Sequence, residues 1–228
     1  MEHIPQHIVL FPDGNRRWAR EKGLHTLEGH KKGYDNLLNL TKWCKSRGVK
    51  TLTAFGFSTE NWNRTEEEVT YLMKLLEGCL IDNLSKYDKE GTKVRVIGQK
   101  TRLPKSLQEA IIKAEEATKN NQNLNLNLAI SYGGKWDILN AVKNIVKEGI
   151  PAEEIDEKLF ESHLSTVGLP NPDFIIRAGG EMRLSNFVLW QAAYSELYFS
   201  PKYWPDFNES DFDIALEEFD KRSRRFGK

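Results

Sequence analysis

Apolar residues along the chain fall into short runs and broader stripes that alternate. Ile8-Val9-Leu10-Phe11 is a four-residue apolar run of the kind that makes a buried strand. Thr51 to Phe57 (TLTAFGF), Lys93 to Gly98 (KVRVIG), Leu124 to Ile130 (LNLNLAI), Asp173 to Arg177 (DFIIR) and Glu196 to Phe199 (ELYF) predict five more strands. Between the first two, LHTLEGHKKG (24–33) leads into a helix over Tyr34 to Gly48. Its Leu37, Leu38, Leu40, Trp43 and Cys44 keep helical spacing, and Gly48 is a plausible stop. Thr65 and Glu68 form a capping box that opens a helix from Glu66 to about Tyr87. Val69, Leu72, Met73, Leu76 and Leu80 make its stripe, widened by Tyr71, Leu75 and Cys79. A stripe that broad is core or the wall of an apolar tunnel. Helices are also predicted over Pro104 to Asn120, Trp136 to Lys147, Glu153 to Leu164 and Asn208 to Arg225.

Strand and helix alternate throughout, which implies an α/β fold with a central, mostly parallel six-stranded sheet flanked by helices. No repeat, low-complexity stretch or linker interrupts the pattern, so residues 1–228 read as a single domain. Thirty-three basic residues balance thirty-three acidic ones, which argues against a broad basic face and against nucleic acid as a partner. Cys44 and Cys79 lie far apart, outside any CxxC or CxxH pattern. That argues against a disulfide scaffold or a zinc site. The N-terminus lacks a signal peptide's apolar core and no run is long enough to span a bilayer, so the expected location is cytoplasmic.

Three loops carry candidate chemistry. Pro12 ends the first strand, Asp13-Gly14-Asn15 favours a tight turn, and Arg16, Arg17, Trp18, Ala19 and Arg20 start a helix. Backbone N–H groups at such a turn, with arginines beside them, suit phosphate oxygens. Asp13 repels phosphate unless a cation intervenes, which points to an aspartate–Mg²⁺–diphosphate arrangement. The same residues would also make an ordinary turn with a solvated arginine face. His30, between Gly29 and two lysines, is a second anion contact or a structural histidine. Ser58-Thr59-Glu60-Asn61-Trp62-Asn63-Arg64 is a polar loop after a strand, a place where function concentrates. Ala178 to Asn186 (AGGEMRLSN) has a bendable glycine backbone, arginines and a hydroxyl; as a plain turn it would end in an N-cap at Ser185 or Asn186. In a parallel sheet, loops that follow strands gather at the carboxyl edge, where ligands bind. No GxGxxG fingerprint or GxxxxGK[ST] loop stands where a nucleotide would need it.

DGNRRWA, GHKKG, FSTENWNR, IIRAGGEMRLSNFVLWQAAYSELYF, WPDF and RRFG, in that order, resemble the cis-prenyltransferases, most of all the bacterial undecaprenyl diphosphate synthases. The resemblance covers Ile8 to Gly227. It implies a homodimer that extends an allylic prenyl diphosphate, typically farnesyl diphosphate, with isopentenyl diphosphate, forming Z double bonds with Mg²⁺ as cofactor. Asp13 would hold the metal, supported by Glu196. Gly14, Asn15, Arg16, Arg17, Trp18 and His30 would cradle the allylic diphosphate. Ser58, Thr59, Glu60, Trp62 and Arg64 would orient isopentenyl diphosphate, with Asn61 assisting proton removal, and Arg177, Arg183, Leu184 and Ser185 would hold its diphosphate. The tail Arg225-Phe226-Gly227 would reach the partner's site. An apolar product implies peripheral contact with a membrane at its release. Residues Ala54 and Gly56 would line the tunnel opposite the helix that starts at Glu66.

Two positions depart from the family pattern: Thr26 stands where an arginine is common, and Ala178 where a threonine is common. A short-chain or branched, head-to-middle synthase is the alternative on the same fold. A non-catalytic partner subunit, the other alternative, would lack the aspartate that this chain has at position 13.

Overall fold

β1 (His7–Phe11) lies in the middle of the sheet, with parallel partners on both sides: β2 (Thr51–Ser58) and β5 (Phe174–Arg177). β4 (Leu124–Tyr132) and β3 (Thr92–Ile97) extend it beyond β2, and β6 (Glu196–Phe199) beyond β5. The order is β3-β4-β2-β1-β5-β6. The sequence suggested a mostly parallel sheet; every pairing among the described residues is parallel. This computed structural model describes residues 3–222. The tail residues Arg225, Phe226 and Gly227 lie outside the described residues.

The side chains of β1 alternate between two cores, as the period of a strand requires. Ile8 and Leu10 belong to the larger core. Its other walls include α2 (Thr26–Ser46), α3 (Glu66–Ile81), α5 (Lys105–Thr118) and α8 (Glu209–Asp220). Val9 and Phe11 enter a smaller core around Phe187, Tyr132 and Ile175. Ile8, Val9 and Leu10 are fully buried, each burial contributing about 1.5–3 kcal/mol. This is why the short run at the start of the chain specifies the centre of the sheet.

Several boundaries differ from the sequence pattern for physical reasons. LHTLEGHKKG is not a separate segment: α2 runs unbroken from Thr26, with His25 Nδ1 accepting from Leu27 N–H at its start. The expected helix from Glu66 to Tyr87 breaks after Ile81 and resumes as α4 (Leu84–Lys89). Asn83 donates its side-chain N–H to the Cys79 carbonyl (3.4 Å), in competition with the helical ladder. The 153–164 stretch divides into a short 3-10 turn and α7 (Glu157–Ser162). The last helix, α8, ends at Asp220 rather than Arg225.

Candidate functional site

α1 (Asn15–Glu21) follows β1 directly, and the turn between them needs Gly14 at φ 96°, a left-handed conformation. Two glycines of α2 let α1 sit close. A Cβ at Gly29 would meet the Asn15 carbonyl oxygen at 2.1 Å, and one at Gly33 would meet Asn15 Oδ1 at 2.4 Å. Trp204 locks the same corner: its backbone N–H donates to the Asp13 carbonyl (2.9 Å) and its indole N–H to Gly33 (2.7 Å). The GHKKG and WPDF segments thus shape the backbone around Asp13.

Asp13 joins two loops. Its Oδ1 accepts from Gly14 N–H (2.6 Å) and Arg17 Nη2 (3.3 Å), and its Oδ2 accepts from Arg177 Nη2 (2.7 Å). Arg177, 4 % exposed, also donates to Ser185 Oγ (2.8 Å) and the Arg183 carbonyl. Arg17 continues to Glu181 (3.0 Å) and stacks on Tyr203. Gly179 and Gly180, at φ 95° and 75°, bring the second loop against Asp13 and Arg17.

A third loop closes over these two. Ser58 and Asn61 make a reciprocal capping box for a 3-10 turn, Thr59–Asn63. Asn186 Nδ2 donates to Glu60 Oε1 (2.7 Å), while its carbonyl and Oδ1 accept from Gly134 N–H (2.6 Å) and Lys135 N–H (2.8 Å). Asn186 therefore ties together the loops that follow β2, β4 and β5. It is no N-cap: both Ser185 and Asn186 have positive φ, 43° and 63°. Burial alone would raise the Glu60 carboxyl, but Asn186, its own backbone N–H, Ser58 and Thr59 hold it below the usual range.

These loops border two cavities that meet at Asp13. The larger, 540 Å³, runs from Asp13, Asn15 and His30 past Ser58, Glu60, Asn61 and Arg64 to Arg177 and Ser185. Its apolar end is formed by Phe55, Gly56, Phe57 and Leu72. The smaller, 300 Å³, is walled by Gly14, Arg16, Arg17 and Arg20, with His30 and Arg64 shared. An anionic head at the junction with an apolar extension toward Leu72 would fit this shape.

Six of the residues singled out in the sequence line neither cavity: Trp18, Thr59, Trp62, Arg183, Leu184 and Glu196. Trp18 lies under the Lys22 ammonium, and Thr59 donates to Glu60 (3.1 Å). Trp62 donates to Ser131 Oγ (2.9 Å) beneath Arg102 and packs edge-on against Phe57. Arg183 is exposed on its loop and pairs with Glu181, and Leu184 packs on the smaller core. Glu196 pairs with Phe174 in the sheet register, whereas Arg177 marks the carboxyl edge, so within one chain it stands away from Asp13. Its carboxylate holds Arg222 (3.0 Å). The acidic side chain that shares a partner with Asp13 is Glu181, through Arg17. Ala54, expected beside Gly56 in a tunnel wall, is 1 % exposed and belongs to the core.

The donors at Asp13 fit a metal ion brought in with its substrate. Among the described residues no cluster of three His, Cys, Asp or Glu side chains forms an all-protein cage. Mg²⁺ commonly takes one or two carboxylates and completes its shell with phosphate oxygens and water.

Comparison with known proteins gives a consistent result. The family model described as putative undecaprenyl diphosphate synthase matches residues 11–227. A ditrans,polycis-undecaprenyl-diphosphate synthase, (2E,6E)-farnesyl-diphosphate specific, from Legionella pneumophila is 44% identical over 232 residues. That alignment covers 100% of this chain and 98% of that protein. A chloroplastic (2Z,6Z)-farnesyl diphosphate synthase from Solanum lycopersicum is 48% identical, over 99% of this chain and 80% of its own. The solved lavandulyl diphosphate synthase from Lavandula x intermedia, in complex with dimethylallyl diphosphate, superposes with a TM-score of 0.95 at 39% identity, covering 99% of both chains.

Proposed function

The chain belongs to the undecaprenyl diphosphate synthase family, the cis-prenyltransferases, and from that premise we propose how its residues divide the reaction. The protein condenses isopentenyl diphosphate with an allylic prenyl diphosphate. The observation that carries the division of labour is the pair of cavities meeting at one carboxylate, Asp13.

The allylic diphosphate occupies the smaller cavity, held by Arg16, Arg17, Arg20 and His30, with its prenyl chain directed past Gly56 toward Leu72. Isopentenyl diphosphate lies between the Ser58–Arg64 segment and the loop carrying Arg177, Arg183 and Ser185. Asp13, with diphosphate oxygens, would hold Mg²⁺, which when bound neutralises charge that develops on the leaving diphosphate. The arginines supply preorganised donors to the same charge. Asn61 Oδ1 accepts from Ser58 N–H (3.1 Å), which fixes the amide and leaves its N–H groups for a diphosphate oxygen. Asn61 thus orients isopentenyl diphosphate for deprotonation. Leu139, Val142 and Val146 form an exposed apolar stripe on α6 (Gly134–Glu148), 58, 43 and 72 % exposed, which supports a homodimer.

Farnesyl diphosphate as primer and a linear Z-polyprenyl product are the leading reading. The second reading, a short product, is favoured by what fills the space further along α3. There Asn83 donates to the Tyr34 hydroxyl, and Tyr87, 2 % exposed, meets Cys79 Sγ (3.6 Å). The test is incubation with isopentenyl diphosphate, Mg²⁺ and either farnesyl or dimethylallyl diphosphate, followed by identification of product length and connectivity. Absence of any condensed product from both primers would overturn the assignment. A branched product would replace linear elongation.

A further inference from the structure

Three side chains that line the smaller cavity reach back from three different elements to one buried oxygen. His30 Nε2, from α2, donates to Glu68 Oε1 at 3.1 Å, and Arg64 Nη1, from the loop after β2, at 2.9 Å. Arg16 Nε, from α1, lies 3.7 Å from the same oxygen and is buried without a hydrogen-bond partner. Glu68 is 6 % exposed, sits in the first turn of α3 and lines neither cavity. Its sequence position explains it only as a capping residue, whose N–H meets Thr65 Oγ1 (3.3 Å).

We propose that Glu68 is a positioning residue of the allylic diphosphate site: its carboxylate, set behind the cavity, aims Arg16, His30 and Arg64 at one anion. This inference rests on the reading of that cavity given above. Two arginines gathered beside a histidine at one cavity would repel each other and turn toward water. A buried carboxylate on the far side offsets that repulsion, holding His30 and Arg64 by one hydrogen bond each and Arg16 by an ion pair. The Nη atoms of Arg16 and Nη2 of Arg64 stay uncommitted and can donate to an anion, while His30, whose Nε2–H goes to Glu68, lines the cavity beside them. An (i, i+4) pair such as Arg64–Glu68 would by itself add only a few tenths of a kcal/mol to a helix. The convergence of α1 and α2 side chains on the same oxygen is what gives the carboxylate a role at the cavity. It also links the Ser58–Arg64 segment to the allylic site, because Arg64 answers to both.

The experiment compares the wild type with Glu68→Gln and Glu68→Ala. Inorganic diphosphate binding is measured by calorimetry, KM for farnesyl and isopentenyl diphosphates by steady-state kinetics, and folding by thermal melting. Glu68→Ala should weaken diphosphate binding and raise the farnesyl diphosphate KM about tenfold, the value of one charge-assisted hydrogen bond. Glu68→Gln keeps an acceptor oxygen in place and should lose only part of that affinity. KM for isopentenyl diphosphate should rise less than that for farnesyl diphosphate in both, through Arg64 alone. If Glu68→Ala does not fold, the near-isosteric Glu68→Gln decides. A folded Glu68→Gln with unchanged diphosphate affinity and farnesyl KM, or an equal rise in KM for both substrates, would overturn the proposal. A wild type that binds diphosphate in a Glu68-dependent way but forms no prenyl product would sustain it and overturn the proposed reaction instead.

Discussion

Arg177 Nη2 lies 2.7 Å from Asp13 Oδ2, and this contact joins the loop after β5 to the loop after β1. Arg177 is buried and spends its other nitrogen on Ser185 and the Arg183 carbonyl, while Arg183 is 60 % exposed in its side chain. The two arginines of the second loop therefore have different work. Arg177 is built into the wall of the site, and Arg183, paired with Glu181, stands exposed at its rim.

Arg177→Ala should cost about 1–3 kcal/mol of stability, because it strips a buried side chain and its hydrogen bonds, while Asp13, 34 % exposed, keeps Arg17 and Gly14 N–H. Arg183→Ala should stay within about 0.5 kcal/mol of the parent, as exposed substitutions do. It should raise KM for isopentenyl diphosphate much more than for farnesyl diphosphate. Chemical denaturation and steady-state kinetics on both variants decide this. Similar stability losses, or equal KM changes for both substrates, would show that the two roles are assigned wrongly.

Asp13→Ala should abolish nearly all turnover while the allylic diphosphate still binds. The smaller cavity keeps Arg16, Arg20 and His30 when Asp13 is lost, so its anion contacts survive. What disappears is the carboxylate for the metal, and losing that charge stabilisation should slow turnover at least about a hundredfold. A variant with half the parent's turnover would refute the metal role.

The elements most legible in the sequence were those with dense local signals. Ile8 to Phe11 announced a buried strand, and topology alone gathered the loops at Asp13, Ser58 and Arg177 on one edge. Glu68 and Asn186 were not legible, because their partners are 38 and 126 positions away in the chain. Asn186 did carry a faint signal, since asparagine tolerates the left-handed backbone found there. Gly29 and Gly33 stood inside a recognisable motif. Why they must be glycine became clear only when Asn15 was found packed against both. Within one chain the Glu196 carboxylate faces Arg222, not Asp13.

Gly56→Leu should shorten the product. Gly56 lines the larger cavity, and a Cβ there would already stand 3.3 Å from Leu76 Cδ2. The rest of a leucine side chain would take cavity volume. Ala54→Leu should instead destabilise the fold by about 1–3 kcal/mol through overpacking, since Ala54 is in the core. Chain-length analysis and melting separate the two. An unchanged product distribution from Gly56→Leu at normal rate would mean that this wall does not face the chain.

Stability should fall as the pH drops below 6.5. Burial lowers the pKa of His7 against the opposing effects of the Pro170 carbonyl and Asp173, and that of His30 against the bond to Glu68. Between each lowered value and 6.5 the unfolded chain binds more protons than the folded one, so the unfolding free energy rises with pH across that window. His163, half-buried, shifts upward through the Leu159 carbonyl and Glu148 and works in the opposite sense. Denaturation of a His163→Gln protein between pH 5 and about 7.5 isolates the buried pair. Adding His7→Gln and His30→Gln should flatten the slope. A slope that persists would place the proton uptake elsewhere.

Gly29→Ala should disable the site from behind. In an ordinary helix interior this change stabilises by about 1 kcal/mol. Here the new methyl would meet the Asn15 carbonyl oxygen at 2.1 Å, and a backbone atom cannot rotate aside as a side chain can. Either α1 moves or α2 does. Asn36 on α2 holds the Trp204 and Phe207 carbonyls (2.8 and 2.7 Å), and Trp204 in turn holds Asp13, so α2 is anchored. The shift must then fall on α1, which carries Arg16, Arg17 and Arg20. Diphosphate affinity should drop by at least about tenfold, together with a lowered melting temperature. Gly23→Ala is the control, because a Cβ at that position meets nothing within 4 Å and its strain comes only from φ 66°. It should lose some stability but keep diphosphate binding. Normal diphosphate affinity in a folded Gly29→Ala protein would mean that the cavity does not depend on how closely α1 approaches α2.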